Sequence, residues 1–161
     1  MKKGSTWFLR LTVFVLGLAA LAICIFALPA VGQGNPPGYP GLSTILLPSL
    51  IGIGATVIPF LIALYETLKL LKAIDKNTAF SETSVKSLKR IKQCGIAMFA
   101  LYAVSLMPLF FIVADGDDAP GLVIVGAVIT GAPIVVSVFA AVLQRLLRNA
   151  IDMKSENELT V

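Results

Sequence analysis

The sequence predicts an all-α, polytopic membrane protein with four transmembrane helices in one antiparallel bundle and both termini cytoplasmic. Three observations predict it. The chain of 161 residues is 57% hydrophobic and 14% charged, whereas a soluble domain is about 45–50% apolar with about a quarter of its residues charged. No charge occurs in Leu11–Tyr65, Gln93–Ala114 or Ala119–Gln144. All 13 Lys and Arg fall in three clusters around those stretches: Lys2, Lys3 and Arg10; Lys69 through Lys92; Arg145, Arg148 and Lys154. The turn at Asp115, Asp117 and Asp118 carries only acids. Cytoplasmic loops keep Lys and Arg, so an even number of crossings with the clusters inside is the consistent topology. The protein is expected in the bacterial cytoplasmic (plasma) membrane, as one four-helix domain over residues 1–161.

About 20 apolar residues span the roughly 30 Å of hydrocarbon. Span one is about residues 8–28, with Trp7 and Arg10 at its inner end. Its apolar run is longer than the roughly 7–15 residues of a signal h-region, so Lys2 and Lys3 flank a retained anchor. Pro29–Ser43 is rich in Pro and Gly (Pro29, Gly32, Gly34, Pro36, Pro37, Gly38, Pro40, Gly41). It reads as a turn-rich connection that holds no helix. Span two is about residues 44–71, span three about 93–114 and span four about 121–147.

Between spans two and three, Asp75-Lys76-Asn77-Thr78-Ala79 breaks the helix. Ser81 then has the character of an N-cap, and Phe80 and Val85 have hydrophobic-staple spacing. Glu82 suits the positive end of the helix dipole. Val85, Leu88 and Ile91 form an apolar stripe opposed by Lys86, Lys89, Arg90 and Lys92. This amphipathic cytoplasmic helix, about residues 82–92, is expected to run on into span three.

Three spans carry a proline with a hydroxyl residue three positions earlier: Thr56 and Pro59, Ser105 and Pro108, Thr130 and Pro133. Each proline removes a helix hydrogen bond and predicts a kink; the freed carbonyl needs a partner from a nearby hydroxyl or helix. They are candidate hinges, with ordinary shape-setting kinks as the plainer reading. Gly52 and Thr56, Gly126 and Thr130, and Ala127 and Gly131 have the small-xxx-small spacing of close helix contacts. The end of span two, Leu70-Leu71-Lys72-Ala73-Ile74-Asp75, is similar to Leu146-Leu147-Arg148-Asn149-Ala150-Ile151-Asp152, a weak sign of a duplicated hairpin.

Several chemistries are excluded. The chain has no His, so Ser-His, Cys-His and His-metal sites are absent. Cys24 and Cys94 lie near opposite ends of their spans, too far apart for a disulfide. Asp115-Gly116-Asp117-Asp118 lacks EF-hand spacing and reads as a solvated acidic turn. No catalytic residue, metal ligand or cofactor is expected. The net charge of +4 is segregated beside apolar spans, so direct nucleic-acid binding is not expected.

One polar constellation remains. Arg10, Glu66, Gln93, Gln144 and Arg145 all fall near the inner interface. Ionisable groups at membrane depth face the bundle interior and find partners, so Glu66 is expected to pair with Arg10 or Arg145. Lys86, Lys89, Arg90 and Lys92 form a candidate partner or lipid-headgroup surface.

Four strings carry a family resemblance. They are Gly4-Ser5-Thr6 with Phe8-Leu9-Arg10; Ile74-Asp75-Lys76-Asn77 with Ala79-Phe80-Ser81, Ser84-Val85, Leu88 and Ile91-Lys92; Asp117-Asp118-Ala119-Pro120-Gly121; and Ala150-Ile151-Asp152 with Lys154-Ser155-Glu156-Asn157 and Leu159-Thr160-Val161. The chain resembles the YoaS-like family of small bacterial membrane proteins over nearly its whole length. The resemblance implies four membrane helices, a domain of unknown function and genes set beside a small helix-turn-helix regulator. It assigns no site residues.

Two functions are expected. The first is a non-enzymatic membrane protein acting through its basic cytoplasmic loop and tail, with a cytoplasmic protein, such as a small helix-turn-helix regulator, as partner. The second is a small transporter or channel subunit, a homo-oligomer whose proline-kinked helices line the path.

Overall fold

The computed structural model describes residues 3–33, 38, 39 and 41–160. The predicted turns at Gly34, Pro36, Pro37 and Pro40 lie outside the described residues, as do Lys2 and Val161. The architecture is all-helical: α1 (Lys3–Ala22), a π-helical turn (Ile23–Ala27), α2 (Leu28–Gly32), α3 (Leu42–Ala55), α4 (Val57–Asp75), α5 (Glu82–Gly116) and α6 (Gly121–Leu159). These make four units long and apolar enough to cross a membrane: Gly4–Gly32, Leu42–Asp75, Glu82–Gly116 and Gly121–Leu159.

The first unit runs further than the sequence predicts. The helix does not stop at Pro29 but continues to Gly32. The wide turn before it supplies the reason. Leu28 N–H donates to Ile23 O, five residues back, and Pro29 then opens a new segment in the first turn, where its missing N–H is no loss. The second unit breaks one residue before α4 rather than at the proline itself. Pro59 has no N–H for the carbonyl of Ala55, and the chain tightens at Thr56, whose N–H donates to Ile53 O at 3.1 Å. By contrast, α5 and α6 remain continuous through Pro108 and Pro133. Pro48, with no hydroxyl three residues before it, is a further proline inside α3.

α5 is the central helix. It packs most extensively on α6 and also on α3 and α4, while α1 packs on α4. Contacts therefore pass from unit to unit in chain order, and α6 touches the rest of the molecule mainly through α5. The interior mixes small polar and apolar side chains: Thr6, Ser49, Thr56, Ser84, Ser87, Ser105, Thr130 and Ser137 are buried alongside Leu46, Leu71, Val85, Leu88 and Ala140. The outside is apolar, with Phe26 74% exposed and Val104 78% exposed. This inverts the usual soluble arrangement and suits lipid, where close backbone approach rather than apolar burial drives helix packing. Gly52 shows the closeness: a Cβ there would stand 2.5 Å from Ser105 Cβ. Gly126 likewise lies against Phe110, at 2.8 Å. Gly131, the remaining glycine of the small-xxx-small pairs, faces open space.

Candidate functional site

The polar residues cluster where the Lys- and Arg-bearing segments meet. Ser81 opens α5 with an extended backbone, and its Oγ accepts from Ser84 N–H at 3.4 Å. That cap starts a helix whose first turns bury Ser84, Val85, Ser87 and Leu88 against the other units. The opposite side presents Lys86, Lys89 and Arg90 to the outside. Phe80, at staple spacing from the buried Val85, is itself 62% exposed.

Glu66 on α4 is the buried acid, 1% exposed. Arg90 donates from Nη1 to its Oε1 at 2.7 Å, with the Arg90 side chain still 59% exposed. Ser87 stands beside the same carboxylate. Glu66 Oε2 has no hydrogen-bond partner. The partner of Glu66 is therefore neither Arg10 nor Arg145. Arg10 donates to Asp75 Oδ2 at 2.5 Å, across α1 and α4. Arg145 is exposed on α6, and Arg148, one turn on, donates to Glu82 Oε1 at 3.0 Å. The reason is rotational. Arg90 and Glu66 lie on facing sides of α5 and α4, whereas Arg145 lies on the exposed flank of α6, in a groove with Lys92.

The predicted constellation is thus split. Arg10 and Glu66 each enter an ion pair, but with different partners. Gln93 is exposed, and Gln144 and Arg145 line a separate groove. That groove, about 690 Å³, runs along the α5–α6 seam and is lined by Lys92, Arg145 and Arg148 together with Val138 and Val142. Lys92 also uses its backbone: its carbonyl accepts from Ser137 Oγ at 3.0 Å. The same hydroxyl reaches Pro133 O at 3.0 Å.

Among the described residues, Thr56 and Pro133 line different cavities, which adjoin at Phe60 and Tyr102. Thr56 lines a cavity with Cys24 and Tyr102. Pro133 lines an apolar groove of about 560 Å³ between α4, α5 and α6. Ser105 is packed against Gly52. Nor do the hydroxyls reach the carbonyls that the prolines free. Thr56 Oγ1 donates to Ile53 O at 2.6 Å and Ser105 Oγ to Leu101 O at 2.5 Å. Thr130 Oγ1 is buried without a partner.

Sequence reasoning missed Asp75, Ser87, Ser137 and Tyr39 as interacting residues. Ser84 and Ser87 carried a readable signal, flanking the stripe at helical spacing. Tyr39 carried none: its hydroxyl donates to Asp117 Oδ1, 78 residues away.

Comparison with known proteins agrees with this architecture. The sequence pattern of the family described as "Protein of unknown function (DUF2975)" matches residues 30–161. A curated protein of Bacillus subtilis (strain 168), "Uncharacterized membrane protein YoaS", is 47% identical over 161 residues, covering 100% of each chain. No solved structure matches.

Proposed function

The chain belongs to the DUF2975 family and is a multi-pass membrane protein, and we propose that it acts without catalysis, as a regulatory, partner-binding protein of the bacterial cytoplasmic membrane. In this reading both termini and the basic segments are cytoplasmic, and the four helical units form an antiparallel bundle. Single-cysteine reporters in a Cys24→Ala, Cys94→Ala background test the orientation. In intact cells an impermeant maleimide should label a cysteine at Asp117 and spare one at Asn157; the reverse pattern refutes it.

One observation carries the partner reading. The helix α6 has 39 residues, about 58 Å at 1.5 Å per residue, against about 30 Å of hydrocarbon. It therefore projects past the membrane as a rigid rod. Arg148 and Glu82 tie its projecting part to the start of α5. On this projection Met153 is 65% and Leu159 84% exposed, and Phe80, just before the start of α5, is 62% exposed. Large apolar side chains held out on a polar, water-facing surface offer anchors for a protein partner. Lys86 and Lys89, exposed on the first turns of α5, favour an acidic rim on the partner.

A photo-crosslinking amino acid at Met153 or Phe80 in living cells should capture a discrete protein. The same group at Val128 should capture lipid. A small helix-turn-helix regulator is the partner class expected. Crosslinks to lipid alone at all three positions sink the reading. The separate settings of Thr56, Ser105 and Pro133 favour structural kinks over a shared path through the protein.

A further inference from the structure

We propose that the groove along the α5–α6 seam is a binding site for one anionic phospholipid. Its rim combines three cations, Lys92, Arg145 and Arg148, with the amides of Gln144 and Asn149. Among the described residues no carboxylate lines it. Neither Lys92 nor Arg145 forms an ion pair among the described residues, and Arg148 gives only Nη1 to Glu82. These are donors with unspent capacity, arranged for a phosphate diester.

The floor decides between a lipid and a soluble anion. Below the cations the groove continues over Val138, Ala141 and Val142. Val138 is 57% and Val142 51% exposed, so an apolar track about one helical turn long leads away from the charged rim. A free phosphate uses the rim alone, while a phospholipid uses both, with its headgroup at the cations and an acyl chain along the valines. The groove also sits where α6 passes from its uncharged stretch, ending at Gln144, to Arg145 and Arg148, which is the headgroup depth. Lys92 is held there by its backbone, through the Ser137 bond, so the rim is anchored across two helices. The groove shares Arg148 with the tie between α6 and α5 but holds none of Phe80, Met153 and Leu159, and it does not rest on the partner assignment.

The full chain, purified in a neutral detergent, is titrated with phosphatidylglycerol and the retained lipid counted by native mass spectrometry. Phosphatidylcholine and inorganic phosphate serve as parallel probes. One phosphatidylglycerol should be retained, phosphatidylcholine should not, and inorganic phosphate at equal concentration should fail to displace the lipid. The double variant Lys92→Gln, Arg145→Gln should weaken retention about 25-fold, taking about fivefold per headgroup-facing cation. Lys72→Gln with Lys76→Gln removes the same charge at exposed positions outside the groove and should weaken it less than about twofold. Val142→Trp leaves every charge in place and fills the apolar track; it should also abolish retention, and it carries the test if the charge variant loses its helicity. Equal weakening by the two charge variants, displacement by inorganic phosphate, or full retention in Val142→Trp overturns the proposal.

Discussion

The two ends of the molecule are held together by different means. At the basic end, ion pairs follow the chain order: Arg10 with Asp75 joins the first unit to the second, Glu66 with Arg90 the second to the third, and Glu82 with Arg148 the third to the fourth. At the acidic end, the connection before α3 meets the turn after α5 through Tyr39 and Asp117, and Gly116 leaves the space that the Tyr39 ring fills. The difference teaches that residues placed by topology acquire a second role. The same cations that mark one end of the chain also tie its four units in series. Their strengths are nonetheless unequal. Exposed ion pairs contribute about 0–1 kcal/mol, and only the middle pair has a buried partner, Glu66. The cohesion of the basic end should therefore rest on that pair.

Four experiments break or sharpen this contrast, beginning with the largest effect. Arg90→Met strands a buried carboxylate without its hydrogen-bonded countercharge and should destabilise the protein more than any other change at either end. Glu66→Gln leaves Arg90 free to rehydrate and should cost about 2 kcal/mol. Unfolding in mixed SDS and neutral detergent measures both; if Glu66→Gln proves the more harmful, the middle pair is not the anchor.

Next come the glycines. An alanine Cβ at Gly95 would lie 2.8 Å from Pro133 O, a backbone atom that cannot turn aside. Gly95→Ala should cost about 2 kcal/mol by overpacking. Gly126→Ala meets the Phe110 ring, a side chain that can rotate, and should cost clearly less. Equal costs in the same assay would show that the two halves of the α5–α6 seam are equally yielding.

Arg10→Gln and Arg148→Gln should each shift stability by no more than about 1 kcal/mol. The shift should shrink between low and high salt, because both pairs are open to solvent. A large, salt-independent loss in either would move the anchor away from Glu66.

The smallest effect belongs to the acidic end. The hydrogen bond to Asp117 raises the Tyr39 pKa, aided by partial desolvation and the negative charge of Asp117. A group whose pKa is raised on folding stabilises below its unfolded value and loses that contribution as pH climbs through the folded value. Stability should thus be level below pH of about 10, the ordinary tyrosine value, and decline above it. Tyr39→Phe should remove that decline, and a decline of the same size in the variant would assign it elsewhere.

Much of the fold was legible because its signals are local. The uncharged runs announce four spanning units. Ser81 announces the start of α5, since an N-cap and an acidic first turn need only neighbouring residues. Prolines were legible as sites of disturbance but not as forms of it. Pro29 is absorbed by a wide turn, Pro59 breaks the chain at Thr56, and Pro133 leaves α6 continuous. The response to a missing N–H depends on what neighbouring helices offer the freed carbonyl, and that is not written nearby.

The sequence by itself determined the membrane class, the number of spanning units and the separation of basic from acidic ends, because hydropathy and charge are properties of segments. Only the tertiary structure decided that Glu66 meets Arg90 rather than Arg10 or Arg145, and that Lys92, Arg145 and Arg148 share one groove. Each residue turns a helix by about 100°, so a partner is chosen by how neighbouring helices are rotated about their axes. That rotation is set by the close packing of small residues such as Gly52, Gly95 and Ser137, and it exists only once the helices are together.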